Sequence, residues 1–208
     1  MKYSISVFTI GLFLSAGVHG STIVSAQSVT ASAGGAGALD ISLTNTGPSA
    51  LTFGAFTFGI STTNTAISFT DAKTSTVLDG YIFAGHSLFG PDLTGPSSGQ
   101  SLSVSDVFAT PLAGATVLSG ATFDLGHILF TVAPNAAAGA FTVSLLANPA
   151  TSFSDPSGNN IAVNTLTNGS VTISATTTPE PSSLFLLFAG VPLLVLGSGG
   201  RASAIRRV

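Results

Sequence analysis

Cysteine and tryptophan are absent from the 208 residues, and only 6% of them carry charge, where a soluble domain ordinarily has about 25%. Without cysteine there is no disulfide framework, no thiol nucleophile and no thiolate zinc site. Basic residues are scarcest. Between Gln27 and Thr178 the only one is Lys73, set against Asp40, Asp71, Asp79, Asp92, Asp106, Asp124 and Asp155. Displacing counterions from phosphates takes clustered Lys and Arg, so DNA and RNA are excluded as partners. The first glutamate is Glu180. The aspartates mostly sit beside Gly, Pro or Ser, where the carboxylate caps a turn. A facing pair for glycoside hydrolysis is therefore not expected. What the chain does have is apolar residues, at 45%, enough for a core and against simple disorder.

The two ends read as addresses. Lys2, the apolar run Ile5 to Ala16 and the small residues of Val24-Ser25-Ala26 follow the order of a secretory signal peptide. This reading gives a signal peptide over 1–26, cleaved between Ala26 and Gln27, with Gly20 as an earlier possible cut. At the other end Pro179-Glu180-Pro181 precedes an apolar segment, Leu184 to Leu196, and then Arg201, Arg206 and Arg207. Residues 182–200 would span about 30 Å as a helix, the thickness of a hydrocarbon core. The trailing arginines favour a cytoplasmic C-terminus. Gly190 and Pro192 interrupt a strongly apolar stretch that is short for a permanent anchor.

This tail resembles the PEP-CTERM sorting domain of Gram-negative bacteria. The match runs through Pro179-Glu180-Pro181-Ser182-Ser183, the segment from Leu184 to Gly190 and the terminal arginines. The resemblance implies processing by an exosortase, a membrane-embedded transpeptidase-like enzyme, and association with exopolysaccharide. Pro179, Glu180, Pro181, Arg201, Arg206 and Arg207 are the sorting residues on this reading. The ectodomain would be held outside the inner membrane, then released to the cell surface or medium.

Between the ends the hydropathy alternates. Leu39, Ile41 and Leu43 alternate with Asp40, Ser42 and Thr44; Leu102 and Val104 with serines; Phe141, Val143 and Leu145 with Thr142 and Ser144; Val171 and Ile173 with Ser170, Thr172 and Ser174. Each is a half-buried strand. The phase slips around Gly54 and Gly126, which predicts β-bulges there. Turn signals fall between the runs, at Asn45-Thr46-Gly47-Pro48, Asp79-Gly80, Gly90-Pro91, Gly95-Pro96, Asp155-Pro156-Ser157-Gly158 and Asn168-Gly169. Ala31 to Ala38 reads as a loop or weak edge. No window carries a capped helical stripe. About nine short strands over 27–175 predict an all-β, antiparallel two-sheet sandwich or jelly roll, with a signal helix before it and a transmembrane helix in the 176–208 tail.

The second half of this domain resembles the cohesin family. The resemblance runs through Ala121-Thr122-Phe123-Asp124-Leu125-Gly126-His127-Ile128-Leu129-Phe130-Thr131-Val132, the Ala136 to Gly139 turn and the strand at Phe141. It closes on Asp155-Pro156-Ser157-Gly158-Asn159-Asn160-Ile161 and Asn168-Gly169-Ser170-Val171-Thr172-Ile173. It implies a nine-stranded jelly roll that works by contact with a protein or a carbohydrate.

Candidate chemistry is sparse. His127 falls at the expected bulge, where a satisfied structural histidine is the favoured reading, and His86 lies in a Gly-flanked loop. Neither has zinc-site spacing. Asp155, Asn159 and Asn160 offer oxygens to a calcium ion, but one carboxylate is thin for a site that takes 6–8 oxygens, and a hairpin is favoured. Tyr81 is the only tyrosine after the signal segment, and the phenylalanines alternate inward, so a stacking platform for sugar is not expected. The chain reads as a non-enzymatic exported module with no cofactor. It is either a structural or adhesive matrix component, or a ligand-binding module for polysaccharide or a dockerin-like protein.

Overall fold

Alternating short runs separated by Gly, Pro and Asn leave each strand one apolar face, and the fold buries those faces between two sheets. The computed structural model describes residues 21–90, 93 and 99–175. Among them are β1 (Thr22–Ala26), β2 (Val29–Ser32), β3 (Ala36–Asn45), β4 (Leu51–Phe53), β5 (Ala55–Ser61), β6 (Ile67–Lys73) and β7 (Ser101–Val107). The second half adds β8 (Ala115–Val117), β9 (Thr122–Val132), β10 (Gly139–Leu145), β11 (Ser152–Ser154), β12 (Asn160–Ile161), β13 (Thr165–Thr167) and β14 (Gly169–Ser174). All secondary-structure elements among the described residues are strands, as the alternation predicts. The segment 182–200 and the sorting residues Pro179, Glu180, Pro181, Arg201, Arg206 and Arg207 lie outside the described residues, as does Gly95-Pro96. Among the described residues no helix is long and apolar enough to cross a membrane.

One sheet runs β13-β1-β3-β9-β6, and the second runs β12-β11-β5-β10-β14-β2 with β7 also on β5. Because β7 covers one side of β5 from Ala55 to Ser61, β10 and β11 must follow one another along its other side. The ribbon β4-β8 stands apart. Between the sheets lie Val24, Leu39, Ile41, Leu43, Phe53, Phe58, Ile60, Phe69, Leu125, Ile128, Phe130 and Val171, all buried. Each such side chain contributes about 1.5–3 kcal/mol relative to exposure.

Strands outnumber the nine expected because several are two- or three-residue pieces made where the chain changes sheet. Gly54 is one such place, and not a bulge within a single strand. It separates β4, in the ribbon, from β5, in the second sheet. Asn168-Gly169 is another, and not a hairpin turn: β13 belongs to the first sheet and β14 to the second. The same switch occurs from β1 to β2, and the two crossings run side by side, β1 parallel to β13 and β2 parallel to β14. The sandwich is thus antiparallel except for these two pairings. Gly169 is required at the crossing, since a Cβ there would lie 2.4 Å from the Gln27 carbonyl oxygen and 2.7 Å from that of Ala26. Ala31 belongs to the edge strand β2, so the small-residue stretch is part strand and part the turn at Gly34-Gly35.

The bulge at Gly126 is present. β9 pairs Gly126 with Ile41 and then Asp124 with Ser42, leaving Leu125 as the extra residue. No positive φ is involved; a Cβ on Gly126 would meet Leu93 at 3.0 Å and Phe58 at 3.4 Å, so glycine admits the core there. The domain also begins earlier than Gln27. Thr22–Ala26 is an interior strand of the first sheet, with Val24 fully buried.

Candidate interaction face

The inserted residue at Leu125 has a chemical consequence. Asp124 and His127 have opposite parity along the chain, yet both leave β9 on its outward face. Asp40 of β3 faces His127 across the ladder, and Lys73 of β6 faces it from the other side. Asp40 Oδ1 lies 2.5 Å from His127 Nδ1. An ionised carboxylate only accepts, so the imidazole donates from Nδ1. The structural reading of His127 holds. Lys73 Nζ sits 2.7 Å from Asp71 Oδ2, and that ammonium holds the Asp71 carboxyl below its usual range.

The connection from β6 arches over this face. Val77 and Leu78 donate their backbone N–H groups to Asp40 Oδ2 at 2.8 and 2.9 Å. Asp79 donates its own to Asp124 Oδ2 at 2.8 Å. Three successive N–H groups thus hang on two buried carboxylates. Beyond them the chain rejoins β9, with Asp124 N bonded to Gly80 O and Ile82 N to Asp124 O. Burial, aided by the charges of Asp40 and Asp79, pushes the Asp124 carboxyl up to about 6, against the lowering effect of the Asp79 N–H. Its Oδ1 has no protein partner. At one end of the core Tyr81 donates its hydroxyl to Asp106 Oδ2 at 2.5 Å. Val107 N (2.7 Å) and Phe89 N (3.3 Å) fill Asp106 Oδ1. Burial and that carboxylate drive the Tyr81 phenol upward.

Asp40, Asp106 and Asp124 are buried anchors, not caps of their own turns. The signal was present in part, since all three stand within alternating runs rather than beside Gly or Pro. What the sequence does not show is which loop they would hold. Asp155 behaves as expected of a turn. Its Oδ1 accepts from Ser157 N and Asn159 N, and its Oδ2 from Asn159 Nδ2. The Asn159 amide leads the contacts that hold its carboxyl low. Asn160 of β12 pairs with Ser154 of β11, so these residues form the favoured hairpin. Among the described residues no group of three His, Asp or Glu is placed to hold a metal. His86 stacks on Phe108, ring centroids 4.8 Å apart.

The outer face of the second sheet is of another kind. Ser105, Thr57 and Ser152 form one row across β7, β5 and β11, and Val107, Ala55 and Ser154 the next. Ser101, Ser61 and Ser144 continue it toward β10. Thr142 and Thr172 are exposed further along. None of the outward strand residues described on this face is ionisable. At mid-face the excursion between β10 and β11 lies over β5, where a Cβ on Gly59 would meet Ala150 at 3.1 Å and Leu146 at 3.2 Å. Two grooves open in this region. One, of about 450 Å³, is floored by Thr57, Ser105 and Ser152 and walled by Phe89, Val107 and Gly158. The other, of about 500 Å³, runs between Ala147–Asn148 and the Asn160–Leu166 segment. Phe89 breaks the inward rule for phenylalanine and stands 40% exposed at the groove wall.

No family model matches the chain, and no curated protein matches it. Solved structures do. The sixth cohesin of scaffoldin B from Acetivibrio cellulolyticus, in complex with a Cel5 dockerin, superposes with TM-score 0.56 at 16% identity, over 74% of this chain and 99% of that one. The cohesin CaCohA2 from Clostridium acetobutylicum gives 0.55 at 14%, over 77% and 95%. A non-cellulosomal cohesin from Archaeoglobus fulgidus gives 0.52 at 19%, over 79% and 97%. The fold is cohesin-like. At these identities the likeness covers the whole sandwich, including the first half, where the sequence matches in strand pattern alone.

Proposed function

We propose that this chain is an exported, non-enzymatic contact module of the cell envelope, sorted by an exosortase through its PEP-CTERM-like tail. Its outer face on the second sheet is the surface that meets a protein partner. One observation carries the reading: the uncharged Ser/Thr face with the Phe89-walled groove is left open, while Asp40 and Asp124 on the first sheet's outer face are tied to an internal loop. Short hydroxyls leave a flat sheet for close approach and hydrogen bonding, and the groove offers an apolar anchor point. The cohesin-like fold supports a protein partner, since relatives in shape were solved with dockerins bound. Tyr81, the residue best suited to stack on sugar, is buried on Asp106, which disfavours polysaccharide as the primary ligand.

A photo-crosslinking residue at Thr57, in producing cells, is expected to trap a discrete adduct that the same residue at Val77 does not. Equal trapping at both positions, or none at Thr57, defeats the face assignment. The sorting part is tested separately by mass spectrometry of the C-terminus. Exported material should end near Pro179 to Pro181, and Glu180→Ala should block that processing without affecting insertion. Mature protein still ending at Val208 defeats it.

A further inference from the structure

The structure bears on where the leader is removed. Cleavage after Ala26 would discard β1, which lies between β13 and β3. Its five residues pair with Asn45 through Ile41 on one side, and Ile23 to Ser25 pair with Thr165 to Thr167 on the other. Val24 and Thr22 are fully buried. Thr22 is fastened to the approach of β13 three ways: its N–H to Asn164 Oδ1 at 3.0 Å, its hydroxyl to Ala162 O at 2.7 Å, and its carbonyl to Asn164 N at 3.1 Å. The last residue before it is also engaged, Ser21 O accepting from Thr46 N at 2.8 Å and from Thr46 Oγ1 at 3.1 Å.

Loss of β1 would strip β13 of its ladder partner, bare Ile41 and Leu43 to water and leave β3 as a raw edge. The small residues that imitate a cleavage site have another cause. Val24 points inward and Ser25 outward by strand alternation, and Ala26 is small where β1 crosses to β2 against Gly169.

We infer that the leader is cut upstream of Thr22, after Gly20, so that the exported chain begins at Ser21 and keeps β1. The residues before Ser21 fit. Val18-His19-Gly20 places a small residue at the cut, two to four positions past the Ile5 to Ala16 run. The inference rests on the export reading above, and one experiment separates them. The exported protein from producing cells is analysed by N-terminal sequencing and intact mass, as wild type and as Gly20→Phe. A start from Val18 to Ser21 upholds retention of β1, and a loss of processing in Gly20→Phe, read as a mass increase of the uncleaved leader, fixes the position at Gly20. A start at Gln27 in the wild type overturns the inference while leaving export intact. Extracellular wild-type material beginning at Met1 overturns the leader itself.

Discussion

The two outer faces of the sandwich use the same strand geometry for opposite purposes. On the first sheet Asp40, Asp124 and His127 point outward but do not meet solvent freely, because the backbone of Val77 to Asp79 closes over the carboxylates. On the second sheet the outward positions carry mainly Ser, Thr, Ala and Gly, with Val107 at the groove and no ionisable group among the described strand residues, and a groove of about 450 Å³ stays open. In a chain with 6% charged residues, buried aspartates hold the internal loop, and on the proposed function contact is left to shape and hydroxyl groups. Buried carboxylates suit the first task because hydrogen bonds to a charged acceptor are about twice as strong as neutral ones. Exposed hydroxyls suit the second because they cost little to desolvate compared with ions.

The sharpest way to break this contrast is to charge positions whose orientation it assumes. Ile128→Asp places an unpaired carboxylate in the core and is expected to abolish the cooperative unfolding transition, since the cost, several kcal/mol, matches the stability of a domain. Thr142→Asp, on the open face, should unfold within about 0.5 kcal/mol of wild type in urea. Equal damage from the two would show the alternation to be out of phase.

Next in size is Asp40→Ala. It orphans the N–H groups of Val77 and Leu78 and the His127 imidazole together, and should cost about 3 kcal/mol in a urea melt. Faster amide exchange should be confined to residues 74–80. A loss below about 1 kcal/mol would mean that the loop is not held by that carboxylate.

Asp124→Asn sharpens the contrast through pH. The folded carboxyl titrates near 6, above its unfolded value of 3.8, so the folded state binds the proton more tightly. Stability from this group is therefore fully present below about pH 4, declines as pH rises to about 6, and stays lower above it. The asparagine variant should lack that decline. It should be more stable than wild type at pH 7 by on the order of 2 kcal/mol, while the two converge near pH 4. Parallel melting profiles across that range would remove Asp124 as the cause.

The smallest effect on stability is expected where the effect on function is largest. Thr57→Arg should change the urea midpoint by no more than about 0.5 kcal/mol and still abolish the crosslinked adduct formed from a probe at Ser105. Retained adduct formation would take the open face out of the interaction.

Much of the fold is legible in the chain, because a side-chain period of two is a local property. The runs at Leu39–Leu43, Leu102–Val104 and Val171–Ile173 show their buried face directly, and the phase slip at Gly126 shows the bulge. Asp155 could be assigned to its turn because all its partners lie within four residues. Asp40 could not be assigned to the Val77 and Leu78 N–H groups, 37 and 38 residues away. That bond depends on how the chain returns across β9.

The sequence alone determined the all-β class, the mostly inward phenylalanines and the hydroxyl-bearing outer positions, all of which follow from local pattern and composition. Only the tertiary structure decided that Gly54 and Asn168-Gly169 are sheet crossings, that three aspartates are buried anchors, and that Thr22–Ala26 is a strand of the domain. Each of these depends on which segments become neighbours across the sandwich. A parallel pairing such as β1 with β13 joins residues about 140 positions apart, and no local rule of propensity or turn chemistry encodes a partner at that distance.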